Sequence, residues 1–248
     1  MGRTRIRPRT MKIDIHTHRT DHSQLALSIR NLMPGEAWSS EQYCSIGLHP
    51  WHINAEWKSE MGKVHTAATA ENVLFIGETG LDKLRGADSE LQETIFIEHI
   101  RISESVGKPL IIHCVKAFNE IIALRKKMRP QQQWIIHGFR GKPQQAQQLL
   151  DNGFQLSFGE HFNADSLALA FHRHSLWLET DESPHSIEEI YEAASKSLNI
   201  SVAELEQEIS NNTHLSATLA PINLIRGNNP LQPVVGNYRA GVKTLNLG

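Results

Sequence analysis

The chain has 248 residues, 40% of them apolar, with 25 basic and 27 acidic side chains and a formal net charge of −2. This apolar fraction is enough for a folded core and excludes wholesale disorder, and the longest apolar runs are too short to cross a bilayer. The two cysteines, Cys44 and Cys114, exclude a disulfide-rich secreted scaffold, so we expect a cytoplasmic protein with no membrane partner.

The charge is unevenly distributed along the chain. Residues 1–10 hold four arginines and no acid, and residues 219–248 hold three basic residues and no acid, so residues 11–218 carry a formal charge of −9. A large duplex-DNA binder normally shows a basic face instead. Bound cations would offset part of this negative charge. Fourteen histidines beside two cysteines favour imidazole and carboxylate ligands over thiolates.

In chain order, residues 1–10 lack the apolar region and the arginine pair of export signals, and we expect a disordered leader. Residues 11–218 are expected to form a single domain. The segment 219–248 is rich in Asn, Gly and Pro without a sustained period, which predicts an extended or disordered tail. No feature indicates an obligate protein partner, so we expect a monomer.

Short apolar runs alternate with helical patterns across the predicted domain, which is typical of β/α units with a parallel sheet. The predicted strands are Lys12–His16, Leu25–Leu32, Tyr43–Leu48, Val73–Gly77, Pro109–Ile112, Gln133–Ile136, Phe154–Phe158 and Leu176–Leu178. The predicted helices are Glu56–Glu71, Ser89–Val106, Ala117–Met128, Pro143–Asn152, Asp165–His174, Ser186–Leu198 and Val202–Ser210. Eight strands predict an α/β fold of the TIM-like (β/α)8 barrel type.

The first connections of this barrel are short. About seven residues separate His18 from the second predicted strand, and about ten separate the second strand from the third. A parallel crossover ordinarily needs roughly a dozen residues or more. We therefore expect one or two early helices to be missing or shortened, or the second strand to be irregular.

Polar side chains fall where the predicted strands end, the face on which barrel enzymes place their catalytic groups. These residues are His16, His18, Glu78, His113, His137 and Asp181. Any one of them alone could equally cap a helix or face solvent. Together they would meet at one mouth, where unpaired buried carboxylates cost several kcal/mol each. Four imidazoles and two carboxylates in one place are most simply satisfied by cations.

The number of ligands predicts two divalent metal ions. His16, His18, Glu78 and Asp181 would hold one ion, and His113 and His137 would hold the second, with Glu78 bridging. Two such ions can activate a water and clamp a phosphoryl or carbonyl oxygen. Asp181 is placed to accept the proton of that water as general base. The ligand types suit Zn, Mn, Fe or Mg and do not choose among them.

Six phrases resemble, in order, the signatures of the TatD family of metal-dependent deoxyribonucleases in the amidohydrolase superfamily. They are DIHTH (Asp14–His18), GLHP (Gly47–Pro50), GETGLD (Gly77–Asp82), PLIIHC (Pro109–Cys114), IHGFRG (Ile136–Gly141) and ETDESP (Glu179–Pro184). The resemblance runs from about Met11 to Ala217. It implies a TIM-like barrel, a dinuclear metal site with the six ligands named above, and hydrolysis of DNA phosphodiester bonds. It also implies that His49, in GLHP, faces the substrate phosphate.

The departures from the family pattern all touch loops at the mouth, where substrate choice is made. Lys83, Leu84 and Arg85 stand where the family commonly has two tyrosines and an arginine, and Gly138 and Arg140 replace a Cys and a Ser. Arg140 and Arg85 are candidates to pair with a phosphate oxygen. A solvated surface charge is the alternative interpretation, and it is the favoured one for Arg85.

Three hypotheses follow from the sequence. The leading one is a deoxyribonuclease acting on DNA or an oligonucleotide, in single-stranded form, with Glu78 and Asp181 in catalysis and His49, Arg140 and Arg85 at the substrate. The second is a small-molecule amidohydrolase or esterase that uses the same metals, favoured by the acidic domain and the shortened mouth. The third is a metal-holding interaction protein without turnover, which the intact ligand set disfavours.

Overall fold

The computed structural model describes residues 11–20 and 26–212. The expected leader 1–10 and tail 219–248 lie outside the described residues, as does the end of the predicted domain at residue 218. The division into leader, domain and tail therefore stays a prediction.

The described residues contain eight parallel strands that pair in chain order as a single sheet, which confirms the predicted barrel. The strands are β1 (Lys12–Thr17), β2 (Ala26–Leu32), β3 (Cys44–Ile46), β4 (Val73–Asp82), β5 (Leu110–Val115), β6 (Trp134–Ile136), β7 (Gln155–Phe158) and β8 (Leu176–Leu178). The first and last strands meet at their carboxyl ends, where Thr17 forms a parallel bridge with Asp181. The backbone N–H of Asp181 donates to the carbonyl of His16 at 2.9 Å. The sheet is therefore nearly closed.

Helices follow the later strands and cover the outside of the sheet. They are α1 (Trp57–Ala67), α2 (Ser89–Val106), α3 (Phe118–Met128), α4 (Pro143–Asp151), α5 (Ala164–His172), α6 (Ile187–Leu198) and α7 (Val202–Ser210). Residues 33–43, between β2 and β3, contain no helix, and residues 18–20 after β1 contain none either. The expected loss of early helices is confirmed for the second connection. The rest of the first connection, 21–25, lies outside the described residues.

Local sequence signals account for the ends of these helices. The Asp88 side chain accepts a hydrogen bond from the Leu91 amide at 3.0 Å and begins α2, and Gly107 ends it with φ of 69°. The helices α6 and α7 begin with capping boxes at Ser186 and Ser201. None of the described helices has the length and apolarity that a membrane crossing requires.

The core lies inside the barrel and between the strands and helices. Trp134 is fully buried and packs edge-on against Phe96 and Phe154, with ring centroids 5.4 and 5.8 Å away. Trp177 is also buried, and its indole N–H donates to the Gln155 side chain at 2.8 Å. Close packing of these large apolar side chains makes the core a rigid support for the carboxyl-end loops.

The strand β4 is longer than the sequence predicts. The expected end was Gly77, but the strand continues to Asp82 and all of its residues are buried, so Glu78 lies inside the strand. The pairing with β5 shifts register between Ile76 and Thr79 and then resumes. Gly80 allows this because its φ is 145° and a Cβ there would lie 2.0 Å from the His113 carbonyl oxygen. The longer strand fixes the backbone on both sides of Glu78.

Candidate metal centre

The Glu78 carboxylate is the centre of the mouth of the barrel, and it is 4% exposed. Five imidazole rings from four different segments surround it. Its oxygens lie 2.7 Å from His137 Nε2, 2.9 Å from His113 Nδ1, 3.0 Å from His49 Nε2, 3.4 Å from His16 Nε2 and 3.6 Å from His18 Nε2. The six residues expected as metal ligands therefore lie around one point, because Asp181 Oδ1 is itself 3.8 and 3.6 Å from the nitrogens of His16 and His18.

The donor atoms form three overlapping sets in which all atoms lie within 4.8 Å of one another. Among the described residues these sets are His16, His137 and Asp181; His16, His18 and Glu78; and His49, Glu78 and His113. The first two sets share His16, and the last two share Glu78, which is therefore the carboxylate common to two donor sets. The grouping differs from the expected one because His137 lies with His16 and Asp181, and His49 takes its place beside His113.

The chemistry of these residues fits bound divalent cations. The His16 side chain is fully buried, and neither of its ring nitrogens has a hydrogen-bond partner among residues 11–20 and 26–212. A buried polar group without a partner costs about 1–3 kcal/mol. Nitrogen and carboxylate oxygen donors without a thiolate are the ligands of Zn, Mn and Mg centres. A cation between these groups would supply the missing partner for His16.

Two further carboxylates lie beside the rings of His113 and His137, each at the ring nitrogen that does not face Glu78. Asp82 Oδ2 lies 3.2 Å from His113 Nε2, and Glu179 Oε1 lies 3.4 Å from His137 Nδ1. Both acids are buried, with Asp82 4% and Glu179 0% exposed. In metal sites such carboxylates fix the tautomer and orientation of the ligating imidazole. His113 and His137 are thereby aimed at Glu78 through the opposite nitrogen of each ring.

The electrostatics of this group keep Glu78 ionised. Burial alone would raise the pKa of Glu78, but the adjacent His137 charge and the hydrogen bonds from His113 and His137 hold it well below its usual value. Burial alone would lower the pKa of His137, and the negative charges of Glu78 and Glu179 raise it well above its usual value instead. A carboxylate among imidazoles is thus the stable state of this cluster.

Backbone contacts position Glu78 and the loop that carries His49. The Asn31 side-chain oxygen on β2 accepts from the Glu78 amide at 2.7 Å and from the Ser45 hydroxyl at 3.1 Å. Gly47 lies so close that a Cβ there would be 2.6 Å from the Glu78 carbonyl oxygen. The first glycine of GLHP is therefore required by the approach of this loop to β4.

The loop after β3 is also attached to helix α2. The buried His99 side chain accepts from the Leu48 amide through Nε2 at 3.0 Å, and its Nδ1 lies 2.8 Å from the Ile95 carbonyl. Because the Nδ1 proton is committed to that carbonyl, Nε2 is unprotonated. Burial lowers the pKa of His99 to about 4. The neutral ring thus fixes the backbone next to His49.

We call Glu78 and the largely buried rings of His16, His113 and His137 the floor of the site. The exposed side chains around it, which we call the rim, are Trp51, Leu84, Arg85 and Arg140. The Arg85 guanidinium lies over the Trp51 ring, 3.9 Å from its centroid. Arg140 lies on the loop after β6, three residues beyond His137, and its side chain is exposed. The two predicted phosphate-binding arginines thus lie on loops that follow different strands, Arg85 after β4 and Arg140 after β6.

Asp82 links the floor to the rim. Besides His113, its Oδ2 accepts from the Trp51 indole N–H at 2.6 Å, and its Oδ1 accepts from the amides of Leu84 and Arg85 at 2.8 and 3.2 Å. Burial by itself would raise the pKa of Asp82, but the Trp51 and Leu84 hydrogen bonds lower it. One ionised carboxylate therefore fixes an imidazole of the floor and the β4–α2 turn of the rim.

Sequence reasoning missed four residues with roles in this arrangement. Asp82 and Glu179 stand inside the recognised phrases GETGLD and ETDESP, and their position there was the available signal. Asn31 is a buried amide near the end of β2, between Arg30 and Leu32, which is a weaker signal. The sequence around His99 gives no signal that this histidine does more than pack in the core.

The comparison with protein families gives one extended match. The family described as "TatD related DNase" matches residues 17–216. An uncharacterized metal-dependent hydrolase of Buchnera aphidicola is 39% identical over 116 residues, 46% of this chain and 43% of that protein. The "3'-5' ssDNA/RNA exonuclease TatD" of Erwinia tasmaniensis is 29% identical over 134 residues, 53% of this chain and 49% of that protein. The chain spans about half the length of the curated relatives it matches.

Solved structures show the same fold. The crystal structure of YJJV, a TatD homolog from Escherichia coli K12, superposes with a TM-score of 0.70 at 21% identity and covers 84% of this chain and 97% of that chain. A TatD family hydrolase from Entamoeba histolytica superposes with a TM-score of 0.66 at 15% identity, covering 83% of this chain and 97% of that chain. With a family match over residues 17–216 and a mouth built from the family's ordered motifs, this chain belongs to the TatD related DNase family.

Proposed function

We propose that the protein is a metal-dependent hydrolase that cleaves phosphodiester bonds of single-stranded DNA or oligonucleotides. The observation that carries the proposal is the buried Glu78 carboxylate with five imidazoles within 3.6 Å of its oxygens. Apolar side chains would stabilise the fold at a lower free-energy cost than this buried charged cluster, so a structural role does not account for it. The family membership and the exonuclease name of one relative support the choice of substrate.

The proposed cofactor is a pair of divalent ions, of Mg, Mn or Zn. The residues that would hold them are His16, His18, Glu78, His113, His137 and Asp181, with Glu78 shared. Bound there, the ions would supply Lewis-acid chemistry, which polarises a phosphoryl oxygen and lowers the pKa of a water. His49 belongs to a donor set with Glu78 and His113, so metal binding is a second proposed role for it besides facing the phosphate.

Asp181 is the proposed general base. Its side chain is 30% exposed, so that a water from the mouth can reach it, and its backbone is held by the bridge to Thr17. Its Oδ1 lies within 3.8 Å of the nitrogens of His16 and His18. A water attacking phosphorus beside these rings would transfer its proton to this carboxylate. Glu78 keeps its charge throughout and orients the surrounding imidazoles.

The substrate phosphate is proposed to lie between the floor and the rim. His49 Nδ1 is occupied by the Trp51 amide at 3.1 Å, so its Nε2 is the nitrogen that faces the mouth. Arg140 would pair with a non-bridging oxygen through its guanidinium, and Arg85 would add positive charge from the other side. These contacts place the scissile bond against Asp181.

The testing experiment is a time course of a 5′-labelled single-stranded oligonucleotide with Mn²⁺ or Mg²⁺. We expect a metal-dependent ladder of shortened products from the wild-type chain. Asp181→Asn should remove the ladder because the amide accepts no proton. Asp151→Asn is the matched control, since Asp151 is an exposed aspartate at the carboxyl end of α4. No cleavage by metal-loaded wild type, or undiminished cleavage by Asp181→Asn, would contradict the proposal.

A small-molecule ester or amide substrate is the second candidate, and the acidic side of the mouth favours it. Glu160 follows β7 and Glu182 follows β8, and both face the site side of the barrel where a polyanion would be repelled. His161 Nε2 and His185 Nε2 lie 3.3 and 3.4 Å from the Glu160 carboxylate. Turnover of small esters without any effect on the oligonucleotide would select this alternative.

The proposal retains two expectations about the protein's setting. Both cysteines are free thiols, Cys44 buried and Cys114 half-buried, in keeping with a reducing cytoplasm. We also propose that the protein is a monomer, as its sequence predicts. Sedimentation velocity of the full chain would test the second expectation.

A further inference from the structure

The rim carries an apolar and aromatic surface beside the floor. Among the described residues, the two large apolar side chains that are exposed are Trp51, at 38%, and Leu84, at 73%. They come from different loops, after β3 and after β4, and both are tied to Asp82. Exposed apolar side chains usually scatter singly over a surface. Two that are fixed to one buried carboxylate at the mouth indicate a binding surface.

The orientation of Trp51 is fixed by contacts on several sides. Its N–H is held by Asp82 at 2.6 Å, and its ring meets the rings of His49 and His113 edge to face, with centroids 4.8 and 5.4 Å away. The Arg85 guanidinium stacks on it at 3.9 Å. The Trp51 ring is therefore held rigidly in contact with His113, one of the imidazoles of the floor.

We propose that Trp51, Arg85 and Leu84 form a stacking platform for one nucleobase of the substrate, next to the bond that is cleaved. This inference rests on the proposed function. Nucleobases stack on indole rings and on guanidinium planes, and stacking accepts any base because every base has a flat π-face. The base adds to the Trp51–Arg85 stack, and Leu84 offers apolar contact at its edge. The platform explains how a site with an acidic domain around it selects an oligonucleotide over a simple phosphate ester.

Two oligomers of equal length and charge separate stacking from phosphate binding. One is oligothymidylate, and the other is the same chain made of abasic tetrahydrofuran phosphates. Affinity is measured by fluorescence anisotropy with the metal-loaded protein and phosphorothioate-linked versions of both oligomers, which resist cleavage, and cleavage is measured separately with the phosphodiester oligomers and Mn²⁺. The wild type should bind oligothymidylate at least about fivefold more tightly, the lower end for a single stacked base.

Three variants assign this preference. Trp51→Ala should reduce the ratio of the two affinities to nearly one. Trp51→Phe should keep most of the ratio, because it retains a flat ring and loses only the N–H bond to Asp82. Trp38→Ala is the matched control, since Trp38 is a partly buried tryptophan on the β2–β3 connection, which approaches Asn72 at the amino end of β4. It should leave the ratio unchanged.

The outcomes distinguish the platform from the proposed function. If Trp51→Ala weakens both oligomers equally, Trp51 only positions Asp82 and the platform is wrong, while cleavage by the wild type still supports the hydrolase. If the preference disappears in Trp51→Ala but the wild type cleaves neither oligomer, the platform stands and the hydrolase proposal fails. If the wild type binds both oligomers with the same affinity, the platform is overturned directly.

Discussion

At the floor of the site Glu78 is 4% exposed and His16 0%, whereas at the rim Trp51 is 38% and Leu84 73% exposed. The floor residues lie in or directly after strands, whereas the rim residues lie in the connections that follow strands, Trp51 in a single 3₁₀ turn at Pro50–His52. In the floor every charge is buried, so each group depends on its neighbours for compensation. At the rim, solvent screens the charges, and each side chain acts more independently. We therefore propose that the floor determines whether hydrolysis occurs and that the rim determines which substrate is bound.

The largest effect is expected from removing the centre of the floor. Glu78→Gln deletes the charge shared by the surrounding imidazoles, so metal binding and oligonucleotide cleavage should both fall to background. Metal content measured by mass spectrometry after gel filtration, together with the cleavage assay, tests this. Glu71→Gln, an exposed acid just before the amino end of the same strand, is the control. Wild-type metal content and turnover in Glu78→Gln would remove the floor from the mechanism.

The next largest effect is expected at Asp82, where floor and rim meet. Asp82→Asn presents an N–H₂ group to the His113 ring and the Trp51 indole. The loss of a carboxylate that orients a ligating histidine typically lowers metal affinity or activity about 10- to 100-fold. Titration of the variant with Zn²⁺ against a competing chelator dye measures the affinity. An unchanged affinity would mean that His113 is oriented by packing alone.

A smaller effect is expected at the rim residue Arg140. Arg140→Ala should weaken oligonucleotide binding about tenfold through the loss of a charged hydrogen bond, and turnover at saturating substrate should be preserved. The slope of log affinity against log salt concentration should fall in magnitude by about 0.7, the value for one phosphate contact on a single strand. Arg129→Ala, at the exposed end of α3, serves as control and should change neither quantity. A fall in kcat rather than affinity would place Arg140 in the floor.

The smallest effect on activity, but a measurable one on stability, is expected at His99 below the His49 loop. Burial lowers its folded pKa from 6.5 to about 4, so the unfolded chain binds more protons between these values. Its stabilising contribution is complete above about pH 6.5 and is lost as the pH falls toward 4, by about 2 kcal/mol at pH 5. Urea unfolding at pH 7.5 and 5.0 should show this loss in the wild type. In His99→Gln, which retains an acceptor and a donor, this part of the pH dependence should be absent.

The order and type of the elements followed from the sequence. The alternation of apolar runs and helical patterns predicted the eight strands and seven α-helices of the described residues, and the short early connections predicted the helix missing between β2 and β3. Strand ends were less predictable. The strand β4 continues from the predicted end at Gly77 to Asp82, because its entire length is buried and pairs with β5 after a register shift that no periodicity reveals.

The candidate site likewise has features that the sequence predicts and features that it does not. That polar residues at strand ends share one mouth is a consequence of a parallel barrel, so the sequence by itself determined which side chains meet there. Only the tertiary structure decided how they meet: His49 beside His113, His137 beside His16, and Asp82 between His113 and Trp51. The physical reason is that these contacts join residues some thirty or more positions apart through register and side-chain rotamers. Periodicity fixes the face on which a residue lies, and packing fixes its partner.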